Sequence, residues 1–348
     1  MTIISANVQA LTAMILCRLR HVKGGLTIVI LSWLCASVPL EADEQRPDRL
    51  AAIVQVNAII PHDARTAQGL GTKRTGTGVV IDDEGLVLTV GYVILEAIEV
   101  SVKGPDGTMS PANIIAYDHE SGFGLIRTHV PIDVAPISLG DADSVSLMEP
   151  LLVASKVGRL EATGVYMVDR RPFAGYWEYL LEDAMFTAPP HTQFGGAALI
   201  NRQGQLVGIG SLILNDGNPH AQRRGAANMF IPVDELKPIL DDLLDSGRRK
   251  DPAHPWLGLF FEEHRGRIFV SRVAPDGPAQ AAGMAIGDLI LGIDGEISGS
   301  LADFYRALWQ QGDAGVDISL DVVRNDRMFP TVITSGDRYR YLRLDPTF

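Results

Sequence analysis

The fold is decided by the stretch Gly76-Thr77-Gly78-Val79-Val80-Ile81-Asp82, which is followed after two residues by Gly85-Leu86-Val87-Leu88-Thr89. Both halves are short runs of β-branched and aliphatic residues, and the acidic residues and glycine between them are typical of a tight turn. The sequence therefore predicts two antiparallel strands, over residues 78–81 and 86–90, joined by a hairpin turn at residues 82–85.

The same pattern continues from Ala51 to about Val233, with a second hairpin turn predicted at residues 201–204. Further strands are predicted over residues 98–102, 123–128, 151–154, 198–200 and 205–209. Short apolar runs separated by turn residues indicate an all-β sandwich or barrel. One helix is predicted to follow, from Val233 to Ser246, because its apolar residues recur at helical spacing and Gly247 provides its end.

Residues 248–255 are the clearest domain boundary, because they are polar and contain two prolines. The basic residues Arg248, Arg249 and Lys250 are expected to be solvated there. The next part, residues 256–338, mixes strands and helices and is long enough for a small α+β domain. Its predicted strands cover residues 268–273, 289–293, 316–323 and 328–333, and its predicted helices cover residues 279–282 and 301–310. No structure is assigned to the tail, residues 339–348.

The amino terminus, residues 1–42, has the pattern of a signal peptide: positive charges, then an apolar run from Leu26 to Leu40, then a polar segment. The apolar run is about 15 residues long, short of the roughly 20 that span a bilayer, so we expect export with cleavage. A retained anchor, with membrane association through residues 24–40, is the alternative. Both cysteines, Cys17 and Cys35, lie in this segment, so a cleaved chain would form no disulfide.

The chain carries a formal net charge of -12 at pH 7 and has no basic stripe, which excludes nucleic acid as a partner. Its histidines lack the paired spacing of a metal site and have no cysteine partners outside the amino-terminal segment. We therefore predict no metal and no cofactor. The histidines weighed for such a site are His119, His129, His191, His220, His254 and His264.

Three segments resemble the HtrA/Deg family of exported trypsin-like proteases. They are the stretch quoted above, the strand entry Asp118-His119-Glu120-Ser121-Gly122-Phe123-Gly124-Leu125-Ile126, and the loop Gln193-Phe194-Gly195-Gly196-Ala197-Ala198-Leu199-Ile200-Asn201. The resemblance implies a trypsin-like double β-barrel over residues 43–247, followed by a PDZ domain. It also implies a place in the periplasm or cell envelope and, as is common in the family, assembly into a trimer.

The resemblance puts Tyr92, Gly122 and Gly195 where the family has its catalytic histidine, aspartate and serine, and Gln193 where its oxyanion loop usually has a glycine. A serine hydroxyl needs an imidazole to remove its proton, and an aspartate to orient that imidazole. Tyrosine, with a reference pKa of about 10, cannot be that base at neutral pH. We therefore expect no catalytic residue at these positions, and we expect Tyr92 and Phe194 to fill the vacated space.

Residues 255–259, Pro-Trp-Leu-Gly-Leu, resemble the carboxylate-binding loop of an HtrA-type PDZ domain. In such a domain the loop binds the free carboxylate of a peptide, and the peptide adds a strand beside a helix. The implied peptide-binding residues are Trp256, Leu257, Gly258, Leu259, Phe260, Phe261, Leu301, Tyr305 and Leu308. Their apolar character favours hydrophobic C-termini. The alternative is a PDZ domain that packs on its own protease-like half and binds nothing.

Three hypotheses about function follow. The first is an exported, catalytically inactive HtrA-like protein that binds peptide C-termini or unfolded chains as an adaptor, sensor or holdase. The second is a serine-type endopeptidase of envelope protein quality control that uses non-standard residues. The residues weighed for that role are His119, Ser121, Thr187, His191, Thr192 and Ser211. The third is a structural or metal-binding scaffold.

Overall fold

The structure is a computed structural model that describes residues 49–218 and 225–342. The predicted signal segment, residues 1–42, and His220 lie outside these residues. Within the described parts of the chain, no helix is long and apolar enough to cross a membrane. The described residues form two closed β-barrels, followed by a unit built on a separate sheet.

The first barrel contains the hairpin that the sequence predicts. Its strands are β1 (Ile53–Ile59), β2 (Lys73–Val80), β3 (Leu86–Val90), β4 (Glu99–Lys103), β5 (Met109–Tyr117) and β6 (Phe123–Thr128), with short helices α1 (Ala67–Leu70) and α2 (Gly91–Ile94) and a 3-10 turn at Arg49–Ala52. They close in the order β1-β2-β3-β6-β5-β4. The Asp82 carboxylate accepts the N–H groups of Glu84 and Leu86 at 2.9 and 2.7 Å. This side chain therefore fixes the β2–β3 turn.

The second barrel carries a hairpin with long strands. Its strands are β7 (Pro150–Val157), β8 (Arg159–Gly175), β9 (Tyr179–Ala188), β10 (Ala198–Ile200), β11 (Leu206–Asn218) and β12 (Gly225–Pro232). They close in the order β10-β11-β12-β9-β8-β7. Strands β8 and β9 pair up to Gly175 opposite Tyr179. We call the three residues between them, 176–178, the hairpin tip.

The helix predicted from Val233 to Ser246 is shorter than expected. A 3-10 turn covers Val233–Glu235, and the α-helix α3 covers only Leu240–Ser246. The prediction of one continuous helix is wrong because Pro238 has no N–H to donate and disfavours helical backbone at the residue before it. The predicted end is confirmed, since Gly247 caps α3 in the left-handed conformation with φ of 72°.

The carboxy-terminal unit is a small α+β domain. Its strands are β13 (Leu259–His264), β14 (Arg267–Val273), β15 (Leu289–Ile293), β16 (Glu296–Ile297), β17 (Asp317–Arg324) and β18 (Arg327–Thr334), and its helices are α4 (Pro278–Ala281), α5 (Leu301–Trp309) and α6 (Arg338–Tyr341). The sheet order is β13-β14-β15-β17-β18, with β16 beside β15. Leu180 of β9 belongs to the core of this domain. The second barrel therefore contributes a residue to the core of the domain that follows it.

The predicted fold class, an all-β double barrel followed by a small α+β domain, is confirmed. Strands β3, β6, β10 and β15 begin and end where the sequence predicts them. Seven of the described strands were not predicted: β1, β5, β8, β9, β12, β13 and β16.

The boundary segment, residues 248–255, is not solvated throughout. Arg249 donates from Nε and Nη2 to the carboxylate of Asp118, at 2.9 and 2.8 Å. The Asp118 side chain has no exposed surface, and the hydroxyl of Tyr339 from the tail donates to it at 3.3 Å. The prediction that Arg249 is solvated is wrong, because its guanidinium forms an ion pair with the buried carboxylate of Asp118.

Candidate functional site

Tyr92, which the resemblance places at the position of the catalytic base, lies on α2 directly after β3. Its hydroxyl donates to the carbonyl oxygen of Ser211 at 2.9 Å. A Cβ atom added to Gly195 would lie 2.8 Å from the same hydroxyl. The structure thus brings together the two residues that the resemblance places at the positions of the base and the nucleophile, a tyrosine and a glycine.

The hydroxyl of Tyr92 is not a proton acceptor at neutral pH. Burial raises its pKa further above the ordinary range, because the charged phenolate is the form that burial disfavours. The ring is partly buried and packs against the main core, and Phe194 is also partly exposed. Tyr92 therefore closes this part of the cleft.

Gly122, in the position of the orienting aspartate, lies beside the start of α2. Its carbonyl oxygen accepts the N–H of Gly91 at 2.7 Å. Its φ is +87°, and an added Cβ would lie 3.2 Å from Cδ1 of Ile231 and 3.4 Å from the hydroxyl of Tyr179. The backbone is therefore in the expected place, but it is in a conformation that side chains rarely adopt.

The loop in the position of the nucleophile is held by the first barrel. The N–H of Thr77 donates to the carbonyl oxygen of Gly195 at 2.9 Å. An added Cβ on Gly196, where φ is +78°, would lie 2.0 Å from the carbonyl oxygen of Thr77. Only glycine fits this approach. The backbone of Gln193 does not have a positive φ. Its side-chain oxygen accepts a 3.3 Å hydrogen bond from the hydroxyl of Ser155.

A serine–histidine pair does exist a short way along the same loop. Ser155 Oγ lies 2.7 Å from Nε2 of His191, and Thr163 Oγ1 lies 2.9 Å from Nδ1 of the same ring. Asn228 holds the His191 backbone through two hydrogen bonds. The sequence pointed to His191 but not to Ser155, which lies within β7 in no motif.

The surroundings of this pair do not favour catalysis. Ser155 has 0% exposed surface and His191 has 4%, so a substrate carbonyl has no route to the hydroxyl. Burial lowers the pKa of His191, and its second nitrogen faces a hydroxyl where a catalytic triad has a carboxylate. Among the other weighed residues, Ser121 donates to Asp118, and His119 packs edge-on against Tyr339.

The carboxylate loop of the carboxy-terminal domain holds a carboxylate from its own chain. The N–H of Leu257 donates to Oε2 of Glu178 at 2.9 Å. The N–H groups of Gly258 and Leu259 donate to Oε1 at 2.7 and 2.8 Å. Glu178 belongs to the hairpin tip and was not predicted as a site residue. The loop predicted to bind carboxylate does bind one, but the ligand is internal.

The hairpin tip also takes the place of a peptide strand. The N–H of Phe261, in β13, donates to the carbonyl oxygen of Tyr176 at 2.8 Å. On the helix side, the Tyr305 hydroxyl donates to the carbonyl oxygen of Gly175 at 2.7 Å and accepts the N–H of Glu178 at 3.1 Å. The tip therefore occupies the place where the sequence predicts an external peptide. This contact agrees with the packing part of the alternative hypothesis, in which the PDZ domain packs on its own protease-like half.

The predicted groove residues are accordingly covered. Those with buried side chains are Trp256, Leu257, Leu259, Phe261, Leu301, Tyr305 and Leu308. Phe260 is partly exposed, with the guanidinium of Arg272 over its ring at 3.4 Å. Gly258 has φ of +79°, which turns successive N–H groups of the loop toward one oxygen acceptor.

Burial raises the pKa of Glu178 to about 7, although the loop N–H groups and the charge of Arg338 act in the opposite direction. Two neighbours at the domain junction are shifted too. Burial lowers the pKa of His119 to about 3 and raises that of Glu120 to about 7. The junction therefore holds several titratable groups away from water. Among the described residues, no group of three or more His, Cys, Asp or Glu side chains is arranged to hold a metal ion.

Two family matches agree with this layout. The trypsin-like peptidase domain family matches residues 76–209, and the PDZ domain family matches residues 255–332. The chain carries a trypsin-like peptidase domain followed by a PDZ domain.

Curated relatives extend the match across both domains. A probable periplasmic serine endoprotease DegP-like from Pseudomonas fulva (strain 12-X) is 26% identical over 289 residues, covering 76% of this chain and 57% of the relative. Serine endoprotease DegS from Escherichia coli (strain K12) is 26% identical over 286 residues, covering 76% of this chain and 77% of the relative. The chain thus spans somewhat more than half the length of the DegP-like relative.

A solved structure, the HtrA-type protease AlgW with decapeptide, has a similar fold. Its TM-score is 0.50 at 19% identity, over 83% of this chain and 96% of that chain. At this identity the likeness concerns the fold alone. Across its trypsin-like domain and its PDZ domain, the chain is therefore similar to HtrA/Deg-type proteases.

Proposed function

We propose that this chain binds polypeptides in the cell envelope as an HtrA/Deg-type protein and does not cleave them by the serine mechanism. The observation that carries the proposal is the contact between Tyr92 and Gly195. A phenol hydrogen-bonded to Ser211 faces a glycine at the place where the reaction needs a base and a hydroxyl. Acyl transfer by this route has no nucleophile and no proton acceptor.

The binding part of the proposal is supported by the carboxylate loop. Three successive N–H groups, those of residues 257–259, converge on two carboxylate oxygens at 2.7 to 2.9 Å. A peptide C-terminus is ionised at neutral pH, and charge-assisted hydrogen bonds from such donors to it are the stronger class in proteins. The ligands proposed are free C-termini of peptides and unfolded proteins. Export to the periplasm, and assembly into a trimer as in the resembled family, belong to the same proposal.

The test is incubation of the purified protein with unfolded casein and, separately, with a fluorophosphonate probe. We expect no time-dependent cleavage and no labelled serine. The control is an HtrA-type protease with an intact triad, which cleaves and is labelled under the same conditions. Cleavage that disappears when one serine or threonine of this chain is changed would falsify the proposal.

A second candidate function is serine endopeptidase activity, which the names of the relatives favour. In this chain the only geometry found near the loop for such chemistry is the pair Ser155 and His191, within the described residues. Burial of Ser155 opposes it. The deciding variant is Ser155→Ala, with Ser144→Ala, on an exposed residue of the same domain, as the matched control. Casein cleavage lost only in Ser155→Ala would establish the second function in place of the first.

A further inference from the structure

We propose that the hairpin tip, residues 176–178, is an internal ligand of the PDZ domain, which an external peptide C-terminus must displace before it binds. This inference rests on the proposed function, because it concerns the same groove. It adds a regulatory contact, made by Glu178, that neither the matched families nor the sequence pattern assigns.

Three separate contacts make the tip equivalent to a bound peptide. The Glu178 carboxylate takes all three N–H donors of the loop. The Tyr176 carbonyl takes the N–H of Phe261 on the edge strand β13. Strand addition and carboxylate capture are the two elements by which such domains bind an extended chain. An external peptide needs the same donors, so the peptide and the tip exclude one another.

The tip differs from a free C-terminus in ways that weaken it as a ligand. Glu178 has φ of +54°, a region that is uncommon for residues other than glycine. Its side chain is buried, so the ionised form gives up its hydration. Tyr176, in contrast, is 57% exposed. The Tyr176 ring is therefore not buried by the contact with the PDZ domain, and the other aromatic residue of the tip, Trp177, stacks on Tyr179 of its own hairpin at 5.4 Å.

Other contacts of the same hairpin do not involve the loop. Glu182, further along β9, accepts hydrogen bonds from Nε and Nη2 of Arg306 on α5, at 2.7 and 2.6 Å. Both side chains are more than a third exposed. Glu182 is thus a matched control: it is a glutamate of the same hairpin that contacts the same domain and leaves the carboxylate loop untouched.

The experiment measures fluorescence anisotropy of a fluorescein-labelled peptide with a free C-terminal leucine, titrated with the full chain. We expect Glu178→Gln to bind it at least about tenfold more tightly than the wild type, because the amide has one acceptor oxygen in place of two and its NH2 group would face an N–H donor of the loop. Glu182→Gln should bind it as the wild type does, and an amidated peptide should bind weakly to all. Equal affinity of wild type and Glu178→Gln contradicts the internal ligand.

A second readout separates this inference from the proposed function. Hydrogen–deuterium exchange of the amides of residues 257–259 is measured without peptide. Faster exchange in Glu178→Gln than in Glu182→Gln supports the internal ligand even where no protein binds the peptide, an outcome that overturns only the binding function. Unchanged exchange overturns the internal ligand. If Glu178→Gln does not fold, Tyr305→Phe removes the hydroxyl contacts with Gly175 and with the tip residue Glu178, and it is measured in its place.

Discussion

Asp118 and Arg249 form an ion pair, 131 residues apart in the chain, that joins the first barrel to the segment leading into the PDZ domain. Burial acts to raise the pKa of Asp118, but hydrogen bonding and the charge of Arg249 outweigh it and hold the pKa below its usual range. Arg249→Met leaves this buried carboxylate without its cation. We expect a loss of about 3–5 kcal/mol in the free energy of unfolding, measured by urea denaturation.

The adjacent residue provides the control for this prediction. Lys250 pairs with Asp242 and Asp245 on the surface, where ion pairs contribute little. Lys250→Met should leave the urea midpoint unchanged. A midpoint for Arg249→Met that matches that of Lys250→Met would show that the buried pair does not stabilise the fold.

Glu178 should make stability fall as the pH rises. Its pKa is raised from 4.5 to about 7 in the folded protein, so the folded chain holds a proton that the unfolded chain loses. The stabilisation is fully present below about pH 4.5 and is lost as the pH rises through 7. Glu120 acts in the same direction, while His119, with its pKa lowered to about 3, adds stability as the pH rises toward 6.5.

Glu178→Gln removes only the first of these contributions. From pH 4.5 to pH 8, the free energy of unfolding of the wild type should fall relative to that of the variant by on the order of 3 kcal/mol. Urea denaturation at a series of pH values measures the difference, with Glu182→Gln as the control. A difference that stays constant with pH contradicts the raised pKa.

Substitution at Gly122 should reveal crowding as well as strain. Gly122 and Gly158 both have positive φ, +87° and +80°, but only Gly122 has side chains within 4 Å of an added Cβ. Gly158→Ala should cost about 1–2 kcal/mol through its backbone alone. We expect Gly122→Ala to cost about 1 kcal/mol more, because Cδ1 of Ile231, 3.2 Å from the added Cβ, must shift. Equal melting temperatures for the two variants would mean that the site has room for a side chain.

Removal of the Tyr92 hydroxyl should affect stability and not catalysis. Tyr92→Phe leaves the buried carbonyl of Ser211 without its donor, which should lower the free energy of unfolding by about 1–2 kcal/mol. Tyr166→Phe, on an exposed tyrosine, is the control and should have no effect. Casein cleavage should be absent in the wild type and both variants. Cleavage that depends on the Tyr92 hydroxyl would assign it a chemical role.

The sequence predicts the architecture well where short strands end in strong turn signals. Strands β3, β6, β10 and β15 are bounded in this way by aspartate, glycine or asparagine. It fails at β8, because this 17-residue strand has mixed burial and contains Gly164 and Pro172, which in a sequence are signals of a turn. It also predicts too long a helix after the second barrel. The apolar residues keep their helical spacing past Pro238, but the backbone around this proline is not helical.

The site was predictable only where a local motif marks it. Tyr92, Gly122 and Gly195 lie in recognisable segments, and the structure brings Tyr92 against Gly195 as their alignment implies. Glu178 lies in no motif and reaches its partners 79 to 81 residues later in the chain. Such a contact depends on how two domains pack, which a one-dimensional pattern does not encode.

The position of Leu180 has a consequence for how the molecule can be divided. The core of the PDZ domain contains this residue, although it lies in β9 and precedes the last three strands of the second barrel in the sequence. A fragment that begins at the domain boundary would lack both Leu180 and the carboxylate two residues before it. The two domains are separate in sequence, but they cannot be exchanged independently. A PDZ domain transplanted here from a relative would meet Glu178 and Leu180 of a hairpin that fits the present PDZ domain.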